Sequence, residues 1–242
     1  MYKQLLILLV LFLCLNATAQ VTYDDYGNLE DERSSLDLSK MSFGLKVSPA
    51  ISWINVVNTD MQADGAALKL GVGGVLSYEL LPNFSLVSGV NYNSYGGYVY
   101  DNESLNNTVF RNNYRVDYSE IEIPIALKLK TKTNNKMAYF IQGGFSAGFI
   151  NNSTEKRIPL AKNAKPVYTD ISLMTNPTRL NSLLGAGVEY SLGKKTNLFG
   201  LISYKNSLTN LANSAAYADA ERYTSLLQMY PGSMEFSVGI MF

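Results

Sequence analysis

From residue 41 to its end the chain is written in period two, and the spacing between the alternating segments restricts its fold more than any other feature. Eight such segments stand at roughly 42 to 54, 66 to 79, 84 to 98, 115 to 131, 137 to 150, 179 to 192, 197 to 209 and 233 to 242. Three connections are short: LLPN (80 to 83), KTNNK (132 to 136) and GKKT (193 to 196). Those between them are long, at 55 to 65, 99 to 114, 151 to 178 and 210 to 232. Short turns at one end and long polar loops at the other predict an all-β fold, an eight-stranded antiparallel up-and-down transmembrane β-barrel.

A period-two strand can turn its apolar row inward, as a soluble barrel does, or outward to lipid. The identity of the other row separates the two. Leu68, Leu70, Val72, Leu76 and Tyr78 oppose Lys69, Gly71, Gly73, Ser77 and Glu79; Tyr139, Ile141, Phe145 and Phe149 oppose Phe140, Gln142, Gly144, Ser146 and Gly148. Leu184, Ala186, Val188 and Tyr190 likewise oppose Asn181, Gly185, Gly187 and Glu189. Glycine, serine and isolated charges suit the narrow inside of a small barrel. The same phase assigns Lys46, Lys69, Lys128, Lys130 and Lys205 to the lumen with Glu79, Glu120, Glu122, Glu189 and Glu235. Confined charges of both signs predict an ion-pair network, because an unpaired buried charge costs several kcal/mol of desolvation.

Aromatic residues fall in two groups. Trp53, Tyr92, Tyr95, Tyr98, Tyr100, Tyr114 and Tyr118 lie toward the long loops, and Tyr78, Phe84, Tyr139, Tyr190 and Phe242 toward the short turns. Two bands of this kind are expected at the two interfaces of a membrane barrel. The chain closes with MEFSVGIMF, an alternating strand ending on Phe242, which reads as a terminal signal for the barrel-assembly machinery.

The opening MYKQLLILLVLFLCLNATAQ combines Lys3, an apolar run from Leu5 to Leu15 and Ala17-Thr18-Ala19, the pattern of a secretory signal peptide over 1–19. Lipidation of Cys14 would require a small residue before it, and Leu13 is not small. Cleavage removes the one cysteine, so disulfides do not stabilise the exported chain. Residues 20–40 are acidic and without period, and are expected to form a flexible periplasmic extension before the barrel domain at 41–242.

Function is bounded mainly by exclusion. Twenty basic and twenty acidic residues leave no surplus for nucleic acid. No histidine is present, which excludes Ser-His-Asp and Cys-His catalysis and a His-ligated zinc site. Glu120 and Glu122 share a face and would be the one candidate carboxylate pair, but the lysines around them favour a structural role. No cofactor is expected. An eight-stranded barrel has room for little beyond its own side chains. The leading expectation is a non-catalytic structural or interaction protein of the cell envelope, and the alternatives are an accessory secretion component and a narrow channel or small-ligand binder.

FGLKVSP, YSEIEIPIALKLKT, GGFSAGF, LGAGVEYSLG and FSVGIMF resemble the PorT-type outer-membrane β-barrel family of Bacteroidetes, across about residues 41 to 242. The resemblance implies an eight-stranded barrel in the outer membrane, with outer-membrane lipid and the barrel-assembly machinery as partners. Its founding member is implicated in type IX secretion, which implies envelope or secretion proteins as further partners.

Pro124 interrupts the most regular of these segments. A closed barrel has no free edge where a missing N–H goes unnoticed, so a bulge or a skipped ladder hydrogen bond is expected at this position.

Overall fold

The computed structural model describes residues 22–23, 29–30, 37–57, 61–105, 108–159, 165–193, 196–213, 216 and 227–242. The expected signal peptide lies outside the described residues, as does most of the acidic extension. Residues 1–39 form one compact unit, in which β1 (Thr22–Tyr23) and β2 (Leu29–Glu30) pair antiparallel. Residues 40–242 form the other, which is the barrel.

Its strands are β3 (Met41–Val57), β4 (Met61–Leu81), β5 (Phe84–Leu105), β6 (Thr108–Lys130), β7 (Met137–Ile158), the short β8 (Val167–Asp170), β9 (Thr178–Ser191), β10 (Asn197–Ser207) and β11 (Gln228–Met241). Each of the eight long strands pairs antiparallel with its sequence neighbour, β7 pairing with β9, and β11 returns to β3 to close the ring. Phe242 seals that seam, exchanging backbone hydrogen bonds of 3.1 and 2.7 Å with Phe43.

The short turns are set by local chemistry. Asn135 and Lys136 both adopt positive φ, 47° and 68°, and Asn134 and Met137 exchange two 2.8 Å backbone hydrogen bonds around them. This is the two-residue geometry whose twist matches the flanking strands.

At the other end the strands run further than the alternation predicted. The stretch 99 to 114, expected as a loop, is a continuation of β5 and β6 that pairs out to Leu105 and Thr108. The stretch 151 to 178 likewise begins as β7 and includes β8, and β4 already starts at Met61. Strands of 21 to 23 residues in β4 to β7 exceed by about twofold the 9–11 residues that cross a bilayer. Polar side chains at these positions hid the continuing ladder, because alternation is visible only where one row is apolar.

The faces follow the predicted phase. On β6, Ile121, Ile125, Leu127 and Leu129 are exposed while Glu120 and Glu122 are fully buried. Exposed apolar side chains occur on every strand of the ring, among them Leu45 and Val47, Leu68 and Leu70, Val90, Phe145, Leu184, Ile202 and Val238. A continuous apolar belt around the whole circumference is far larger than the patches tolerated on a protein surrounded by water.

The aromatic groups are sorted differently. Tyr95, Tyr114 and Tyr118 are buried inside the barrel rather than in an outer band. Tyr92 faces out, and Trp53 packs with Tyr204 at 6.1 Å between ring centroids. Tyr139, Tyr190 and Phe242 are exposed toward the short-turn end.

At Pro124 the ladder is unbroken toward β7, where Pro124 pairs with Ser146. Toward β5 it is interrupted at Ile123 and Pro124, with register unchanged on either side, between Glu122 with Asn91 and Ile125 with Ser88. The prolyl carbonyl instead accepts a 2.9 Å hydrogen bond from Ser88 Oγ. Gly89, opposite the gap, has φ 155°, and a Cβ there would stand 2.1 Å from the Gly74 carbonyl oxygen. Pro49 marks a second such gap, between β3 and β11, where Ser48 and Ser237 hydroxyls bond each other at 2.7 Å.

Candidate functional site

The inward rows meet in a buried polar layer across the barrel. Lys205 on β10 lies 2.6 Å from Glu122 on β6 and 2.9 Å from Glu235 on β11. Tyr95 on β5 donates to Glu235 at 2.6 Å, and Asn93 donates to Glu122. One turn of the layer further, Arg179 on β9 pairs with Glu120 at 3.1 Å, bonds Asn181 at 2.6 Å and contacts the Tyr118 hydroxyl. Its guanidinium also lies over the Tyr118 ring, 4.9 Å from the centroid. Room for this comes from Gly148, where a Cβ would fall 2.6 Å from a Glu120 carboxylate oxygen.

A second group stands nearer the short turns. Glu189 holds Lys128 and, at 3.4 Å, Lys130. Lys128 also lies over Phe140, which packs with Phe199, Leu201 and Met241 in an apolar collar. Between the two groups is a cavity of about 50 Å³ onto which Lys46, Asn91, Pro124, Gln142 and Glu235 open. This is space for a few water molecules.

The expected charges are thus brought together unevenly. Glu120, Glu122, Glu189, Glu235, Lys128, Lys130 and Lys205 pair within the lumen. Lys46 faces the cavity and makes no ion pair among the described residues. Glu79 is exposed and lines the short-turn mouth. Lys69 pairs at 2.6 Å with Asp117 rather than with a lumen glutamate, where a register shift in β4 opposite β5 alters the local phase. Asp117 and Arg179 were not among the expected charges. Arg179 could have been found, since it shares parity with Asn181 and Glu189; Asp117 lies outside the inward row and gives no such signal.

Beyond the charged layer the long-loop end is closed by an apolar cluster. Ile54, Met61, Val99, Val116 and Met229 from the strands pack with Ile171, Leu211 and Leu227 from the connections. Asn210 fixes these connections to one another, accepting from the amides of Ala212 (3.1 Å) and Met229 (2.8 Å) and donating to the Leu227 carbonyl (3.1 Å). Asn176 adds hydrogen bonds to the carbonyls of Asn210 and Ala212 at 2.9 and 3.1 Å.

An apolar belt outside, an ion-paired lumen within and ring closure by eight antiparallel strands define an outer-membrane β-barrel. The chain belongs to the outer membrane protein beta-barrel domain family, whose model matches residues 18–213. No curated protein matches the sequence.

Among solved structures, Neisserial surface protein A is similar at 11% identity and a TM-score of 0.43, over 82% of this chain and 95% of that one. The outer membrane protease OmpT from Escherichia coli is similar at 8% identity and a TM-score of 0.47, over 87% and 99%. Outer membrane protein OprG from Pseudomonas aeruginosa gives 12%, 0.43, 83% and 95%. Likeness at this level concerns the fold alone.

Proposed function

We propose that this barrel is a non-catalytic, non-conducting outer-membrane protein that acts through its long-loop end, which faces the cell exterior, while the short turns and the exported N-terminal extension face the periplasm. One observation carries this reading: the lumen is occupied across its width by the Glu120–Arg179 and Glu122–Lys205–Glu235 groups and capped by the Leu227 cluster, while β4 to β7 continue past the belt. A transport path would have to break buried ion pairs, whereas the protruding sheet is free to meet partners. Glu120 and Glu122 are each held by a different cation, which supports a structural role for both over an acid–base pair.

Cross-linking from cysteines placed on the long-loop sheet in native outer membrane, followed by identification of the adducts, tests the reading. Discrete envelope partners are expected; a barrel that yields none and carries stepwise current in planar bilayers would contradict it. A role in type IX secretion draws its support from the PorT-type resemblance of YSEIEIPIALKLKT. Loss of type IX export on deletion of the gene would establish that role, and unchanged export would remove it.

A further inference from the structure

Four residues from four strands line up across the outward face of the long-loop sheet. Tyr98 pairs with Arg115, Arg115 with Lys156, and Lys156 with Tyr168. Directly paired residues share a face, so the row reads tyrosine, arginine, lysine, tyrosine over a width of about 15 Å. Each cation lies over the tyrosine beside it, Arg115 at 5.6 Å and Lys156 at 5.4 Å from the ring centroids.

Two cations directly opposite each other destabilise a sheet unless an anion lies between or near them. Only part of that anion is supplied by the protein. Asp117 pairs with Arg115 at 2.9 Å but is shared with Lys69. Lys156 makes no ion pair among the described residues. Asp170, the carboxylate on β8, pairs with Thr154 and accepts a 2.9 Å hydrogen bond from the Ser172 amide. The adjacent Arg111 is paired with Asp64 and stacked 3.9 Å over Tyr100, so it contributes a neutral rim.

The height of the row points to its occupant. Arg115 has the outward parity of Ile121, Ile125, Leu127 and Leu129, and no register shift separates them along the β5–β6 ladder. A belt about 25 Å tall, counted from Leu129 at ~3.4 Å per residue with a ~40° tilt, ends near Ser119. Arg115 and Lys156 therefore stand about 10 Å above the acyl chains, at headgroup level.

We propose that this row binds the phosphorylated saccharide headgroup of an outer-leaflet glycolipid. Arg115 and Lys156 share a phosphate, and the flanking Tyr98 and Tyr168 rings lie against sugar. Adjacent cations, one of them a planar guanidinium, suit a phosphate better than a single carboxylate. The inference rests on the outward orientation proposed above.

The test uses the full-length folded barrel in nonionic detergent, with native mass spectrometry reading the retention of diphosphoryl lipid A, dephosphorylated lipid A and phosphatidylglycerol. Wild type is expected to retain diphosphoryl lipid A about tenfold over the other two, a difference of about 1.4 kcal/mol. Arg115→Gln/Lys156→Gln should abolish that preference, Lys156→Gln alone should weaken it while leaving Asp117 paired, and Lys132→Gln at the short-turn end should leave it intact. Heat-modifiable migration certifies that each variant is folded.

Equal retention by the folded double variant would overturn the proposal, as would equal retention of phosphatidylglycerol by wild type. Orientation is read separately, by labelling Leu173→Cys, an exposed position in the same connection but outside the row, on intact cells with an impermeant maleimide. Labelling supports exposure to the outer leaflet. Its absence, even with lipid A retained by the purified barrel, would overturn the placement of the row there.

Discussion

Lys205 illustrates how much one side chain can hold. It is buried between Glu122 and Glu235, so Lys205→Met would leave two carboxylates without their cation and is expected to cost about 3–5 kcal/mol. Lys46→Met, which breaks no ion pair among the described residues, should cost distinctly less. Urea unfolding of the two variants in lipid vesicles compares them directly, and equal losses would show that the lumen lysines act as a diffuse charge rather than through specific pairs. Gly148→Val tests the same layer sterically. Its Cβ would meet the Glu120 carboxylate at 2.6 Å, and a loss of about 1–3 kcal/mol is expected. At this scale the sequence revealed the sign and face of most lumen charges, because parity survives along a regular strand. It did not reveal which cation meets which anion, since partners come from strands far apart in the chain and depend on the stagger of the closed ring.

Among the elements, β6 was the most legible, although its ladder to β5 is interrupted. Alternation from Ile121 to Leu129 marked its lipid row, and Pro124 marked an irregularity, yet the form of that irregularity depended on β5. Gly89, with its positive φ and its close approach to Gly74, lets the neighbouring strand pass the gap without a bulge. Gly89→Ala is therefore expected to destabilise the barrel more than Pro124→Ala does, as judged by the temperature at which heat-modifiable migration is lost. A larger effect at Pro124 would place the origin of the gap in the proline itself. The strand ends at the long-loop side were the least legible feature. Beyond residue 98 on β5 and before residue 115 on β6 polar side chains enter both rows beside Val99, Leu105 and Val109, so hydrophobic contrast fell while backbone pairing continued.

For the whole molecule, the decisive property is the inversion of the usual core, with charge inside and apolar side chains outside. It accounts for the glycine- and serine-rich inward rows, for the ion pairs that replace a hydrophobic interior, and for closure of the ring through Phe43 and Phe242. It also predicts that Ile125→Arg, on the lipid face, impairs insertion by about 2–4 kcal/mol in a bilayer equilibrium between folded and unfolded barrel. The most direct measurement is a nitroxide scan of positions 120 to 129 in the barrel reconstituted in lipid, reading collisions with oxygen and with a water-soluble nickel chelate. Labels at 121, 125, 127 and 129 should be open to oxygen and closed to the chelate, with labels at 120 and 122 shielded from both. Free access of the chelate to 121, 125, 127 and 129 would place that row in water and contradict the membrane barrel.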